Sequence, residues 1–264
     1  MKILIAGMPQ SGSTALYNIV RLYMEYHDIF YENFLFSIFP WTDNHNGPKA
    51  PIREKQTVNE YYLESFQEHY PNRLVILKEH HYNEFLFEWA DLIFVCRRDI
   101  RDAIASRRRR GKDLISKSRY LEAEKYDPNT FFGFKMWCDY LTHDCDNAFL
   151  DKLASSPTPS PVVAIWNYEL FKKDPLKVIQ SICKGLGAIS IKNDNGIPHP
   201  ELDEKELSEK IYHDINNLDK LDSKKTFFSK DKITANGKVH NFSNELSTKE
   251  LDYIEENFSE WICK

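Results

Sequence analysis

The stretch Met1 to Asn18 reads MKILIAGMPQSGSTALYN and sets the architecture. Lys2 to Ala6 form a short apolar run of strand character, and Gly7 to Thr14 form a turn rich in Gly, Ser and Pro. From Ala15 the pattern turns helical, with Leu16, Ile19, Val20, Tyr23 and Met24 at the spacing of a helix packed on a sheet. Strand, phosphate-sized loop, helix is the order. In such a loop the backbone N–H groups and the positive end of the helix dipole converge on one point, so an anion binds without any side-chain charge. The stretch predicts an α/β fold of one domain: a mainly parallel sheet flanked by helices, P-loop-like, with ligands at the carboxyl ends of the strands.

The loop has the spacing of a Walker A motif, Gly7 and then Gly12 after four residues, but Ser13 stands where that motif has its lysine. Nothing in the loop then reaches the outer phosphates of a nucleoside triphosphate. A P-loop kinase or NTPase is therefore the alternative rather than the first reading.

A second informative stretch, Leu92 to Gly111, reads LIFVCRRDIRDAIASRRRRG. Leu92 to Cys96 is continuously apolar, as a parallel strand buried on both faces requires. After Arg97 and Arg98 the period becomes helical, with Asp99 and Asp102 near the start, where acidic groups suit the dipole. Arg98, Asp102 and Ser106 are spaced by four and share a face.

Together these stretches resemble the sulfotransferases that use 3′-phosphoadenosine 5′-phosphosulfate (PAPS). Pro9-Gln10-Ser11-Gly12-Ser13-Thr14 is similar to the family's P-K-S-G-T-T loop, and Arg98 to Ser106 matches its R-x-x-x-D-x-x-x-S signature. The resemblance implies sulfuryl transfer to a hydroxyl or amine, releasing adenosine 3′,5′-bisphosphate (PAP). It also implies that Ser11, Gly12, Ser13 and Thr14 hold the 5′-phosphate and that Arg98 and Ser106 hold the 3′-phosphate. The departure is Gln10, where the family has Lys or Arg. A glutamine can donate a hydrogen bond to the bridging oxygen but brings no charge. Either Lys78, Arg97 or another cation neutralises the leaving phosphate, or the chain is a catalytically inactive PAP-binding protein.

Three further segments fit the same resemblance. Leu74 to Leu77 is a β-rich run ending in Lys78-Glu79-His80-His81, which resembles the family's K-T-H segment with Glu79 in place of threonine. The histidine of that segment is the general base, a role suited to a group whose ordinary pKa is about 6.5. His80 is the candidate and His81 its rival, since adjacent strand residues point to opposite faces. Tyr168, after the buried run Val162 to Trp166, matches a tyrosine that touches adenine, or else is a core residue at a strand end. Gly237 and Lys238 resemble a late loop that covers the 3′-phosphate. No metal is implied by any acidic cluster beside the loop.

Composition bounds the rest. A chain of 264 residues with 42% apolar and 14% aromatic residues is long enough for one buried core. A polar stretch at about 190–235 reads as a peripheral or lid-like region. A net charge of -5 argues against a general nucleic-acid binder. Arg107 to Arg110 with Lys112 read first as a solvated helix end before Gly111, then as a rim attracting PAPS, with a nucleic-acid module as a further alternative. Arg21 and Glu25 read as a solvated pair.

Five scattered cysteines without C-x-x-C spacing suggest a reducing compartment. A first strand beginning at Lys2 leaves no room for a signal peptide, and no long apolar run offers a membrane span, so the expectation is cytoplasmic. The acceptor, a small molecule or a saccharide, is not legible. Aromatics from Phe30 to Trp41 read as a core element or as the wall of its pocket.

Overall fold

The computed structural model describes residues 2–27, 31–35, 74–80, 84–115, 127–147, 150–151, 162–188, 203–217 and 242–263. Its strands are β1 (Lys2–Gly7), β2 (Tyr31–Leu35), β3 (Leu74–Lys78), β4 (Leu92–Arg97) and β5 (Val162–Asn167). All pair in parallel in the order β2-β3-β1-β4-β5. Its helices are α1 (Ser13–Tyr26), α2 (Glu84–Trp89), α3 (Ile100–Ile115), α4 (Phe131–Asp139), α5 (Tyr168–Lys173), α6 (Pro175–Ala188), α7 (Glu204–Asn216) and α8 (Thr248–Asn257). The expected α/β architecture is what the chain adopts.

Alternation along β1 explains its place at the centre. Ile3 and Ile5 face α1, α6 and α7, while Leu4 and Ala6 face α2 on the other side, and all four are fully buried. Burying an aliphatic side chain of this size contributes about 1.5–3 kcal/mol relative to exposure. β1 pairs with β3 on one side and β4 on the other, so the strand order reverses beside it. In open α/β sheets such a reversal is where ligands bind, outside the carboxyl ends of the strands, here β1 and β4.

Local signals explain most helix starts. The Thr130 hydroxyl accepts from the Gly133 N–H to begin α4, which continues as a π-helix over Tyr140–Asn147. Asp174 precedes Pro175 at the start of α6 and accepts from the Lys177 N–H. Ser247 and Glu250 form a reciprocal capping box on α8.

Two expectations are corrected. Arg21 is only 1% exposed, with its Nε donating to Asn18 Oδ1 and its Nη1 to Glu25 Oε2, so the pair with Glu25 is not a solvated one. The arginine run does not end a helix, because α3 continues through Gly111 to Ile115. Tertiary partners absorb the described arginines. Arg107 is buried, its guanidinium stacked 4.1 Å from the Trp137 ring centre. Arg108 donates to the Pro128 and Glu245 carbonyls and pairs with Glu250, and Arg109 pairs with Glu245. These arginines fasten α3 to α4 and α8. The side chains of Arg110 and Lys112 lie outside the described residues.

In the polar stretch after Gly187, Leu207 and Ile211 of α7 are buried in the same core as α1 and α6. Apart from residues 188 and 203–217, that stretch lies outside the described residues.

Candidate active site

Parallel strands deliver their carboxyl ends to one edge, and four of the five carry candidate residues there. β1 leads into the loop at residues 8–12, β3 ends on Lys78 just before His80, β4 leads into Arg98, and β5 leads into Tyr168. The register places Ile5 beside Lys78, Gly7 beside Cys96 and Arg97 beside Asn167, so these ends are level with one another.

The loop is a tight, left-handed path. Gly7, Gln10 and Gly12 have φ of 91°, 65° and 76°. A Cβ on Gly12 would lie 2.1 Å from Cδ2 of Tyr168, so only glycine allows that ring to lie on the loop. Gln10 bears the left-handed conformation without being glycine, a strained state of the kind that collects at functional sites. Cross-links hold the loop in shape. The Ser11 hydroxyl donates to the Met8 carbonyl, and the Trp166 indole N–H donates to the Ser11 carbonyl at 3.0 Å. At the start of α1, Asn18 donates to the Thr14 carbonyl at 2.8 Å.

Gln10 joins the two stretches that the sequence singled out. Its backbone carbonyl accepts from Arg98 Nη1 at 2.9 Å, and its Oε1 accepts from the Ser106 hydroxyl at 3.3 Å. Arg98 is 5% exposed, and its guanidinium lies 4.8 Å from the Tyr168 ring centre. Burial pushes the Tyr168 phenol up, with the nearby Arg98 pulling it down. Loop, arginine, serine and tyrosine are therefore contiguous.

On the other flank, Lys78 Nζ donates to Thr14 Oγ1 at 2.6 Å, which brings a cation to the first turn of α1. His80 Nδ1 lies 2.9 Å from the Gly7 carbonyl. A carbonyl can only accept, so Nδ1 carries the proton and the basic lone pair is on Nε2. Glu79 bends back to accept from the His80 N–H at 2.6 Å.

The loop residues Gln10 to Thr14 thus meet Lys78, His80, Arg98, Ser106 and Tyr168 at one edge. His81, Gly237 and Lys238 lie outside the described residues, as does the aromatic segment apart from β2. Among the described residues, no group of three or more His, Cys, Asp or Glu is placed to hold a metal. No described helix is long and apolar enough to cross a membrane.

The family model of the sulfotransferase domain matches residues 1–263. The chain belongs to the sulfotransferase family. No curated protein matches it by sequence. Solved structures share its fold at low identity. A mouse sulfotransferase complexed with PAP is 16% identical, with a TM-score of 0.56 over 98% of this chain and 83% of that one. Retinol dehydratase, solved with androsterone and inactive cofactor PAP, is 13% identical, with a TM-score of 0.51 over 98% of this chain and 80% of that one. The family expected from the two stretches is the family matched, and with it the reaction class of sulfuryl transfer.

Two residues at this edge received no role from the sequence. Trp166 fastens the loop through Ser11, and Glu169 lies against Arg98, with 3.7 Å between Oε1 and Nε. Trp166 is the last apolar residue before Asn167-Tyr168, which marks it as a strand-end side chain but not as a donor aimed at the loop. Glu169 belongs to Asn167-Tyr168-Glu169-Leu170-Phe171, which resembles the family's Y-E-D/L segment, but that resemblance gave a role to the tyrosine alone.

Proposed function

We propose that the chain transfers the sulfuryl group of PAPS to a hydroxyl or amine of a small-molecule or saccharide acceptor and releases PAP. The observation that carries this reading is the double engagement of Gln10 with Arg98 and Ser106. It joins the phosphate loop to the pair expected at the 3′-phosphate, so one nucleotide with phosphates at both positions spans them.

In this reading Ser11 to Thr14 hold the 5′-phosphate on backbone N–H groups at the start of α1. Arg98 grips the 3′-phosphate with its planar fork and Ser106 donates one further bond. Tyr168, already lying on Gly12, offers its face to adenine. PAPS supplies an activated sulfuryl group. Its transfer leaves negative charge on the 5′-phosphate, and Lys78 supplies there the charge that Gln10 lacks. His80, protonated at Nδ1 by its tie to Gly7, takes the acceptor proton on Nε2. Gly237 and Lys238 are assigned to the 3′-phosphate from the sequence resemblance. No metal is required by these roles. All five cysteines are free thiols, which suits a reducing compartment, and we place the protein in the cytoplasm.

The test is thermal stability with PAP, with ATP plus magnesium, and with neither. A ligand at 100 times its dissociation constant adds about 2.7 kcal/mol. We expect a shift with PAP alone, abolished by Arg98→Ala. A shift with ATP and none with PAP would move the chain to the kinase class.

A further inference from the structure

We propose that Glu169 is a positioning residue for Arg98, and that the segment following α8, through Cys263, holds Glu169 in place. This rests on the assignment of Arg98 to the 3′-phosphate. Arginine is long and rich in rotamers, and a two-pronged phosphate contact needs its fork in one orientation. Three described groups bear on that orientation: the Gln10 carbonyl on Nη1, the Tyr168 ring against its face, and the Glu169 carboxylate, an ion pair 3.7 Å from Nε rather than a hydrogen bond.

Glu169 is itself fixed at both oxygens. Oε1 accepts from the Asp99 N–H at 3.1 Å, and Oε2 accepts from the Cys263 thiol at 3.5 Å. The same thiol sulfur lies 3.8 Å from Asn167 Nδ2, which donates to it. The Cys263 N–H donates to Asp99 Oδ2 at 3.2 Å, and Asp99 is fully buried and held by the Arg101 guanidinium through two hydrogen bonds of 3.0 and 2.6 Å. Cys263, in the segment following α8, therefore clasps two neighbouring strand ends, that of β4 with Arg98 and Asp99 and that of β5 with Asn167 to Glu169. These are the strand ends that carry the arginine and the tyrosine of the nucleotide site.

The protonation states agree with this arrangement. Burial and the Glu169 charge push the Cys263 thiol up to about 11, so it remains a thiol and a donor. Burial also pushes the Glu169 carboxyl up, against the opposing pull of its hydrogen bonds and Arg98. Holding a charged carboxylate there works against stability, as expected of a group that serves binding.

The test compares two ligands that differ at the 3′-phosphate. PAP and adenosine 5′-monophosphate are titrated calorimetrically into the full chain, as wild type, Glu169→Ala, Glu169→Gln and Cys263→Ala, with folding checked by circular dichroism. Glu169→Ala is expected to weaken PAP by about ten-fold or more while leaving the monophosphate within about two-fold. Glu169→Gln keeps the acceptor for Asp99 and loses the charge, so it falls between, and it carries the test should the alanine variant not fold. Cys263→Ala is expected to weaken PAP by about two- to three-fold, through loss of a weak thiol donor.

A folded Glu169 variant whose preference for PAP is unchanged, or in which both ligands weaken equally, overturns the positioning role. An unchanged preference in Cys263→Ala overturns the clasp. A wild-type protein without preference for PAP removes the 3′-phosphate assignment of Arg98, and the positioning role goes with it.

Discussion

His80 and Gly7 are joined across the sheet edge by a hydrogen bond of 2.9 Å from the imidazole Nδ1 to the glycine carbonyl. The bond ties the candidate base to the first residue of the phosphate loop and selects its tautomer. It also determines what His80→Ala should do. Turnover is expected to fall by about 100- to 10,000-fold, the usual contribution of a general base, while PAP binding is retained. Transfer from PAPS and calorimetry with PAP measure the two quantities. Unchanged turnover would pass the role to His81.

Lys78 reaches Thr14 Oγ1, whereas Gln10 turns to Ser106. Replacing Lys78 by Met keeps the length of the stem and removes the charge. The expected loss in kcat is about 100-fold, with KM for PAPS changed much less. Gln10→Lys should preserve or raise turnover in the wild type and restore part of the loss in Lys78→Met. A large loss from Gln10→Lys alone would mean that the amide has a specific role at Ser106.

Gly12 combines a left-handed φ with close contact to the Tyr168 ring. In Gly12→Ala the new Cβ and the ring cannot both stay where they are. The variant should lose the thermal shift caused by PAP and be destabilised by about 1–3 kcal/mol, as read from a denaturant titration. A full PAP shift in this variant would show that Tyr168 does not need to lie on the loop.

Glu250 joins α8 to Arg108 of α3. Burial would raise its pKa, but hydrogen bonds from Arg108 and Ser247 outweigh that effect and hold it below the ordinary carboxylate value. A depressed native pKa means that the pair adds stability above the ordinary carboxylate range, and that this stability is lost as pH falls through the depressed value. Arg108→Ala should cost about 2 kcal/mol at neutral pH and progressively less in acid, without weakening PAP directly. A cost independent of pH between neutral and strong acid would assign it instead to lost packing of the Arg108 guanidinium on the Phe134 ring, whose centre lies 5.5 Å away.

Glu169 has the opposite sign. Its native pKa is raised chiefly by burial, so the folded state binds the proton more tightly than the unfolded chain does. The cost of the charge is present once pH exceeds the raised value, and it disappears as pH falls below the ordinary carboxylate range. Without ligand, Glu169→Gln should therefore melt higher than wild type at neutral pH and level with it in acid. A variant that melts lower at neutral pH would show that the ion pair with Arg98 outweighs the burial.

The order of strand, loop and helix at Met1 to Asn18 is local information, and the α/β architecture was legible from it. Hydrophobic periods and turn residues act over a few residues and survive in the sequence alone. The same holds for Asp102 and Ser106, whose four-residue spacing is a property of α3 itself, and for the start of α8 at Ser247, whereas Arg98 precedes α3 and is linked to Ser106 through Gln10. The arginine run from Arg107 was misread because its meaning depends on Trp137, Glu245 and Glu250, which are distant in sequence and adjacent only after folding.

By itself, then, the sequence determined the family and the fold class, and it named the candidate residues of a phosphate loop, since each rests on short-range pattern. Tertiary structure alone decided that Lys78 rather than Gln10 carries charge to Thr14, that His80 is protonated at Nδ1, and that Glu169 and Cys263 stand behind Arg98. Those relationships arise where four strand ends and the segment after α8 meet. Distance and angle there follow from sheet register and packing, which no single stretch of sequence encodes.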